Sequence, residues 1–248
     1  RDLIAQAKTG SGKTAAFALP LLTRINPRDF GTQALILCPT RELASQVASE
    51  IRRLARYQQN IKVVTLVGGQ SIGPQIGSLE HGAHVVVGTP GRVKDHLRKE
   101  TLSLERVNTL VLDEADRMLE MGFVDDIEAI IGKTPAARQT LLFSATFPEN
   151  ILRLSARFQT TPQRVSVASL HDGQHIDQQF FICQKSDRLA ALVKLLAHFQ
   201  PSAAVVFCNT KQLVREVCEH LNRSGIHAEA LHGDMEQRDR DQVLIQFK

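Results

Sequence analysis

The sequence predicts an α/β fold in which a parallel sheet is covered by helices on both faces, and three observations support it. Short apolar, β-rich runs alternate with helical stretches along the chain. A glycine-rich segment, AKTGSGKT at Ala7–Thr14, has the pattern of a phosphate-binding loop. A later apolar run ends in carboxylates, in LVLDEAD at Leu110–Asp116. The chain has 248 residues, 43% of them hydrophobic, so it is long enough to bury a substantial core.

The predicted elements of the first part follow one another in a regular order. Runs of β-forming residues separated by amphipathic stretches are typical of βαβ units. The predicted strands are Ile4–Gln6, Ala34–Cys38, Val63–Val67, His84–Gly88, Thr109–Asp113, Thr140–Ser144 and Arg164–Val167. The predicted helices are Ala15–Leu22, Arg41–Arg56, Gly91–Arg98, Asp125–Ile131 and Glu149–Phe158.

A polar segment then interrupts the pattern, and we interpret residues 169–178 as a linker between a domain at 1–168 and another at 179–248. The second part has only three predicted strands, fewer than a doubly wound domain needs, so we expect it to be incomplete. Its predicted strands are Phe180–Cys183, Ala203–Phe207 and Ala228–Leu231. Its predicted helices are Asp187–Phe199, Lys211–Arg223 and Met235–Lys248.

Composition narrows the class of protein. The net charge of +4 is mildly basic, which is compatible with a nucleic-acid partner. The four cysteines form no CxxC pair, so we expect buried free thiols in a reducing cytoplasm, without a zinc site or disulfides. No apolar run approaches the roughly 18 residues of a membrane span, and we expect no membrane partner. The chain begins at Arg1 without an initiator Met, so we expect a natural N-terminus upstream.

The phosphate-binding loop predicts a nucleotide site. Gly10 and Gly12 allow a tight turn that brings backbone N–H groups close to phosphate oxygens. Lys13 would reach the β- and γ-phosphates, and the Thr14 hydroxyl would bind Mg²⁺. Ala7 stands where the general motif has glycine, and the alternative is a chance glycine-rich turn. The predicted nucleotide-binding residues here are Ala7, Lys8, Thr9, Gly10, Ser11, Gly12, Lys13 and Thr14.

The acidic strand end predicts the chemistry of hydrolysis. Asp113 would hold Mg²⁺, and Glu114 would orient the attacking water. The alternative is a helix N-terminus, because acidic residues are favoured in a first turn. With the phosphate loop upstream, the two segments predict hydrolysis of ATP or GTP.

Several further motifs occur in a fixed order with these two. They are Pro39-Thr-Arg-Glu-Leu-Ala44, Gly68-Gly69, Thr89-Pro-Gly-Arg92, DEAD at Asp113–Asp116 and Ser144-Ala-Thr146. The ordered set resembles the DEAD-box ATP-dependent RNA helicases along the whole chain, and Val205–Thr210 and His232–Asp241 resemble the start of that family's second domain. The wording QTLLFSATFPE and HGDMEQRDRDQ is similar to the bacterial DbpA-type members, which act on ribosomal RNA.

The resemblance implies a RecA-like P-loop NTPase domain followed by a partial second RecA-like domain, with ATP and Mg²⁺ in the cleft and RNA across both. It implies catalytic roles for Lys13, Asp113 and Glu114, and a coupling role for Ser144 and Thr146. Ser144 is expected to hydrogen-bond Asp116 of the DEAD segment. The resemblance also places Asp116 at the nucleotide site, together with Asp113 and Glu114. From the residues alone, Ser144 and Thr146 fit a strand-ending turn equally well.

The resemblance also implies an RNA surface, whose residue types suit a sugar–phosphate backbone. Aromatic residues are only 5% of the chain, so base stacking is not expected to dominate, and binding should be sequence-tolerant and salt-sensitive. Arg41 and Arg240 also fit solvated helix charges. The implied RNA-binding residues are Pro39, Thr40, Arg41, Gly68, Gly69, Thr89, Pro90, Gly91, Arg92, Asn209, Thr210, Gly233, Gln237 and Arg240.

The expected activity is RNA-stimulated ATP hydrolysis coupled to local duplex unwinding, by a cytoplasmic monomer acting on ribosomal RNA. The alternatives are an ATP-gated RNA clamp with little unwinding and a P-loop ATPase that acts on DNA. The family's adenine-reading and arginine-finger segments and the DbpA-type C-terminal RNA-binding domain do not occur in these 248 residues. Because an arginine finger accelerates turnover about 10³–10⁵-fold, we expect this polypeptide alone to hydrolyse ATP slowly.

Overall fold

A computed structural model describes residues 1–7, 10–58, 60–146, 148–166 and 177–247, with Asn150 described by its backbone alone. The chain divides into two compact units, Arg1–Asp172 and Gly173–Lys248. Each unit is presented by itself below.

The first unit contains a seven-stranded sheet in the order β3-β4-β2-β5-β6-β1-β7, and every pairing is parallel. The strands are β1 Leu3–Gln6, β2 Ala34–Leu37, β3 Val63–Leu66, β4 Val85–Gly88, β5 Thr109–Leu112, β6 Gln139–Ser144 and β7 Gln163–Ser166. The helices are α1 Lys13–Arg24, α2 Arg41–Ala55, α3 Gly73–Glu80, α4 Pro90–Arg98, α5 Ala115–Glu120, α6 Val124–Ile131 and α7 Glu149–Phe158.

The central strands are buried on both faces, which explains their continuous apolar sequences. Along β2, Leu35 and Leu37 face one core cluster, while Ile36 faces the other. Full burial of one such side chain contributes roughly 1.5–3 kcal/mol. The fold class predicted from the sequence is therefore confirmed for this unit.

The strand predictions for the first unit are correct to within about one residue, but two helices were not predicted. Helix α3 contains Gly73, Pro74 and Gly77, which are poor helix formers, so its sequence resembles a loop. Helix α5 has only six residues and follows directly on the acidic strand end. Val167 and residues 169–176, which carry a predicted strand end and most of the predicted linker, lie outside the described residues.

The second unit contains a short 3₁₀ turn, Lys185–Asp187, and three helices: α8 Arg188–Phe199, α9 Lys211–Arg223 and α10 Gln237–Phe247. The prediction of three strands in this unit was wrong, because its described residues form no strand. A strand requires a hydrogen-bonded neighbour, which its own sequence cannot supply. Their apolar side chains stay exposed, Phe180 at 90% and Phe207 at 93%.

All four cysteines are free thiols, but the expectation that they are buried holds only for Cys38. Cys183 is exposed, while Cys208 and Cys218 are half-buried. Among the helices that the structure describes, none has both the length and the apolar character needed to cross a membrane.

Candidate nucleotide and RNA site

In the first unit, the predicted site segments all follow the carboxyl ends of strands, and the strand order separates them into two groups. The phosphate loop, the DEAD segment and Ser144-Ala-Thr146 follow β1, β5 and β6, which are neighbours in the sheet. The segments predicted to contact RNA follow β2, β3 and β4, which are also neighbours. Because parallel strands end at one edge, the nucleotide half and the RNA half lie side by side there.

The phosphate loop joins β1 to α1. The backbone N–H of Ala7 donates to the carbonyl of Ser144 across 3.2 Å, which ties the start of the loop to the end of β6. Gly10 and Gly12 have φ values of +81° and +82°, a left-handed conformation that favours glycine. The predicted residues Lys8 and Thr9 lie outside the described residues, and Ser11 is exposed.

The N-terminus of α1 is suited to an anion. Gly12 is its N-cap residue and has no side chain to cap it, and the first turn carries no acidic residue. The helix dipole and the N–H groups of the first turn therefore favour a negative group at this point. Thr14, the second residue of α1, is half-buried.

Lys13 lies at this helix start with only 9% of its surface exposed. Its Nζ atom is buried and, among the described residues, has no hydrogen-bond partner. A buried ammonium group without a partner is costly, so the site favours an anionic ligand.

Asp113 lies at the end of β5, where its backbone N–H donates to the carbonyl of Leu37. It is 3% exposed, and burial is the main cause that raises its pKa from 3.8 to about 6. The positive charge of Lys13 opposes this change, while the charge of Glu114 adds to it. Lys13 and Asp113 therefore interact electrostatically at the same edge of the sheet.

Glu114 has a left-handed backbone, with φ 52° and ψ 52°, and it is the N-cap residue of α5. For a residue with a Cβ atom this conformation costs roughly 1–2 kcal/mol. The backbone N–H of Glu114 donates to Oδ1 of Asp113 at 3.1 Å, which fixes the Asp113 carboxylate against the backbone of Glu114. Such local strain is often found at functional sites.

Asp116 connects the DEAD segment to the end of β6. Its Oδ2 accepts hydrogen bonds from the backbone N–H of Thr146 at 3.0 Å and from the Thr146 hydroxyl at 2.9 Å. Burial raises the pKa of Asp116, but the hydrogen bonds from Thr146, Arg117 and Ser144 together lower it below its usual value.

The hydroxyl of Ser144 donates to the carbonyl of Thr146 and also lies close enough to Asp116 to lower its pKa. The expected contribution of Ser144 to Asp116 is therefore present, and Thr146 adds two hydrogen bonds that the sequence did not predict.

In the RNA half, several predicted residues contact one another. Thr40, which follows Pro39, caps α2 by accepting from the N–H of Leu43 at 3.2 Å. The guanidinium group of Arg41 covers Gly69, since a Cβ atom there would lie 1.8 Å from its Nη1. Gly69 has φ +71° and Gly68 lies beside the same group, so this position requires glycine.

Helix α4 begins in the predicted RNA segment that follows β4. Thr89 is its buried N-cap residue, Pro90 is its first residue and Gly91 follows. Arg92 donates from Nη2 to the carbonyl of Gln70 at 2.9 Å. Arg41 and Arg92 therefore both reach the segment after β3.

The candidates in the second unit surround α9 and α10. Thr210, next to Asn209, caps α9 by accepting from the N–H of Leu213 at 3.1 Å. Gly233 lies near Lys211, which pairs with Asp234. Gln237 is buried and donates to Asp241 at 3.0 Å. Arg240 is half-buried on α10.

Two buried residues behind the RNA half, Gln75 and His96, were not identified from the sequence. They hydrogen-bond each other between α3 and α4. Only tertiary contact reveals them, because α3 itself was not predicted and an isolated polar residue in a helix does not indicate its partner.

The parallel sheet and the loop after β1 define a RecA-like α/β unit of the P-loop class. The chain belongs to the DEAD/DEAH box helicase family, which matches residues 1–154, and the helicase conserved C-terminal domain matches residues 187–248.

Among curated relatives, the chain is 55% identical over 247 residues to the ATP-dependent RNA helicase DbpA of Escherichia coli, covering 100% of this chain and 54% of that protein. It is 45% identical over 249 residues to the DEAD-box ATP-dependent RNA helicase CshA of Bacillus subtilis, covering 100% of this chain and 50% of CshA. The chain thus spans about half the length of the curated relatives it matches.

Two solved structures are also similar. A DEAD box protein from Methanococcus jannaschii superposes with a TM-score of 0.65 at 41% identity, over 99% of this chain and 66% of that one. A variant of Dbp5 from Saccharomyces cerevisiae, bound to RNA and ADP BeF3, gives a TM-score of 0.87 at 30% identity. The match covers 100% of this chain and 63% of the Dbp5 chain.

Proposed function

We propose that this chain belongs to an ATP-dependent RNA helicase, which couples RNA-stimulated ATP hydrolysis to local unwinding of RNA duplexes. The observation that supports this most is the buried Nζ of Lys13, which has no hydrogen-bond partner among the described residues and shares an electrostatic site with Asp113. A buried ammonium group without a hydrogen-bond partner, beside a glycine-rich loop and a helix N-terminus, favours a polyphosphate ligand.

The residues of the nucleotide half have distinct proposed roles. The N–H groups of the Gly10–Gly12 turn and the Lys13 ammonium would bind the β- and γ-phosphates. Thr14 and Asp113 would hold Mg²⁺, whose charge would lower the pKa that burial raises at Asp113. When bound, the metal ion neutralises charge that develops on the phosphate oxygens.

Glu114 would orient the attacking water, because its backbone is fixed beside Asp113 at the same strand end. The bonds from Thr146 to Asp116 connect this carboxylate segment to the end of β6. Through that connection, a change at the nucleotide would reach Ser144 and Thr146 and then the RNA-binding loops. These two residues are therefore proposed to couple hydrolysis to strand separation.

RNA is the proposed partner, held mainly through its backbone by the loops after β2, β3 and β4 and by the start of α9 and α10 in the second unit. The Dbp5 relative, whose structure contains RNA, supports this assignment. Backbone contacts predict binding that weakens steeply with salt, and contacts to 2′-hydroxyls would discriminate against DNA. A ribosomal RNA substrate, a role in ribosome assembly, a monomeric state and a cytoplasmic location are carried over from the sequence resemblance.

The decisive experiment measures phosphate release by the full-length protein with ribosomal RNA, generic RNA, DNA and no nucleic acid. The expected result is stimulation by RNA, strongest with ribosomal RNA, and none by DNA. A strand-displacement assay run beside an RNA-retention assay separates unwinding from the alternative of an ATP-gated clamp. Equal stimulation by DNA would contradict the assignment.

Two variants test the nucleotide roles. Lys13→Ala should abolish binding in a titration with labelled ATP, whereas Lys133→Ala, a change at an exposed lysine of the same unit, should not. Glu114→Gln should keep ATP binding and stop turnover. Normal RNA-stimulated phosphate release by that variant would exclude Glu114 from the reaction. The 248-residue chain alone should release phosphate very slowly, and turnover at the rate of the full-length protein would contradict this.

A further inference from the structure

A chain of buried hydrogen bonds lies behind the segment that follows β3. Gln75, on α3, donates from Nε2 to the carbonyl of Val67 at 2.9 Å. Val67 is the residue immediately before Gly68-Gly69. Oε1 of Gln75 lies 3.2 Å from Nε2 of His96, on α4. Both side chains are buried, so these bonds are made without competition from water.

The bonding pattern places a proton on Nε2 of His96. Because the amide nitrogen of Gln75 donates to Val67, its oxygen must accept, and Nε2 of His96 therefore carries a proton. The other ring nitrogen, Nδ1, lies 2.8 Å from the hydroxyl of Thr101, which is also 3.2 Å from the carbonyl of His96. Burial, and then the charge of Arg92, lower the pKa of His96, which favours the neutral form, in which Nδ1 accepts from Thr101. The chain of bonds thus runs from Thr101 through both side chains to Val67.

The Gly68–Gln70 segment is held from two further sides. Arg92, in the first turn of α4, donates to the carbonyl of Gln70 at 2.9 Å. The guanidinium group of Arg41 lies against Gly68 and Gly69. The arginines come from the two other loops of the RNA half, whereas the Gln75–His96 pair supports the segment from the interior.

We propose that Gln75 and His96 are positioning residues, which hold the Gly68–Gln70 segment in the arrangement that binds the RNA backbone. This inference depends on the RNA-binding role proposed above. Two consecutive glycines, one at φ +71°, form a segment that has no side chains of its own to restrict it. If the segment adopts the binding arrangement only a fraction of the time, the apparent RNA affinity falls by that fraction.

The test uses Gln75→Met, which keeps the size of the side chain and removes both hydrogen bonds. RNA binding is measured by fluorescence anisotropy with a labelled oligonucleotide. We expect RNA affinity to fall about tenfold, which corresponds to a segment that is correctly placed about one-tenth of the time. Affinity for labelled ATP should change less than twofold. The salt dependence of RNA binding should keep its slope, because no cation is removed.

The chain offers a matched control in Gln159→Met. Nε2 of Gln159 donates to the carbonyls of Leu3 at 3.0 Å and Thr140 at 2.9 Å, while its Oε1 accepts from Ser155 at 2.7 Å. It therefore makes the same kind of bonds at the opposite edge of the sheet. This variant should lose comparable stability in urea yet bind RNA within twofold of the wild type.

His96 gives a second, independent readout. His96→Leu should weaken RNA binding as Gln75→Met does, whereas His96→Gln can donate to Oε1 of Gln75 and should restore part of the affinity. Wild-type RNA affinity in Gln75→Met, or an equal loss in Gln159→Met, would overturn this inference alone. Absence of RNA binding by the wild-type protein would overturn the proposed function as well.

Discussion

Replacing Asp113 by asparagine is expected to stabilise the protein when nucleotide and metal are absent. Asp113 is almost completely buried, and burial is the main cause that raises its pKa from 3.8 to about 6. The difference between these two pKa values corresponds to about 3 kcal/mol of folding free energy at pH 7 and above, at about 1.4 kcal/mol per pKa unit. An asparagine retains an oxygen that accepts from the N–H of Glu114 and carries no charge. The Asp113→Asn variant should therefore gain up to about 3 kcal/mol.

The gain should depend on pH with a defined sign. A carboxyl group whose pKa is raised by folding is protonated in both states below pH 3.8, where it does not lower the free energy of unfolding. The free energy of unfolding falls as the pH rises from 3.8 through about 6, because the group must then be buried as a charge. The advantage of the variant should thus be about half developed at pH 5 and complete above pH 7. Unfolding by urea in the presence of EDTA is monitored by hydrogen–deuterium exchange of peptides that contain β5 and β6. This readout reports on the first unit alone.

Asp2 provides the contrasting control at the opposite edge of the sheet. It is also buried, but its carboxylate accepts from the backbone N–H groups of Thr140 and Thr160, each at 2.7 Å. Asp2→Asn should therefore destabilise the same peptides. A gain for Asp113→Asn that is absent, or that does not change between pH 5 and pH 7.5, would refute the argument that its buried charge is costly.

Three further predictions concern the site. Thr146→Val removes the hydroxyl bond to Asp116 and should cost about 1.5–3 kcal/mol in urea unfolding, with a lower ratio of strand displacement to phosphate release in the full-length protein. Gly12→Ala places a Cβ atom at φ +82° and should cost roughly 1–2 kcal/mol while weakening binding of labelled ATP, whereas Gly132→Ala, at an ordinary helical φ, should spare ATP binding. Folding lowers the pKa of His96, so the stability that depends on its neutral form is present above pH 6.5 and is lost as the pH falls. Between pH 7.5 and pH 5.5, the free energy of unfolding in urea should therefore fall less for His96→Gln than for the wild type.

The parallel sheet could be predicted because a strand buried on both faces has a continuous apolar sequence, as in β2 and β4. Helix α3 could not, since glycine and proline lower its propensity and tertiary packing supplies its stability. In the second unit, Ala203–Phe207 has a strand-like sequence, but the described residues provide it with no hydrogen-bonded neighbour. The sequence pattern reports the side chains of a strand, whereas strand formation depends on another part of the chain.

The candidate site follows the same logic. The proximity of Lys13 and Asp113 was predictable, because carboxyl ends of parallel strands meet at one edge and both residues follow such ends. The contribution of Ser144 to Asp116 was predicted from the order of the motifs, whereas the two bonds from Thr146 were not, because the sequence does not show how the turn after β6 directs its groups. The bond between Gln75 and His96 had no local indication, because it depends on how two helices pack.

The two halves of the sheet edge differ in how many destabilising features they contain, and this difference has a functional consequence. In the nucleotide half, Lys13 has a buried nitrogen without a partner among the described residues, Asp113 has a raised pKa, and Glu114 has a left-handed backbone. Each feature costs stability in the free protein, and a bound polyphosphate with a divalent cation would remove the first two costs. In the RNA half, Nη1 of Arg92 also lacks a hydrogen-bond partner among the described residues, but Nη2 of Arg92 and Gln75 already hold the loop that follows β3. Nucleotide binding should therefore remove more of this destabilisation than RNA binding does. The free energy that drives a conformational change should then come mainly from the nucleotide half.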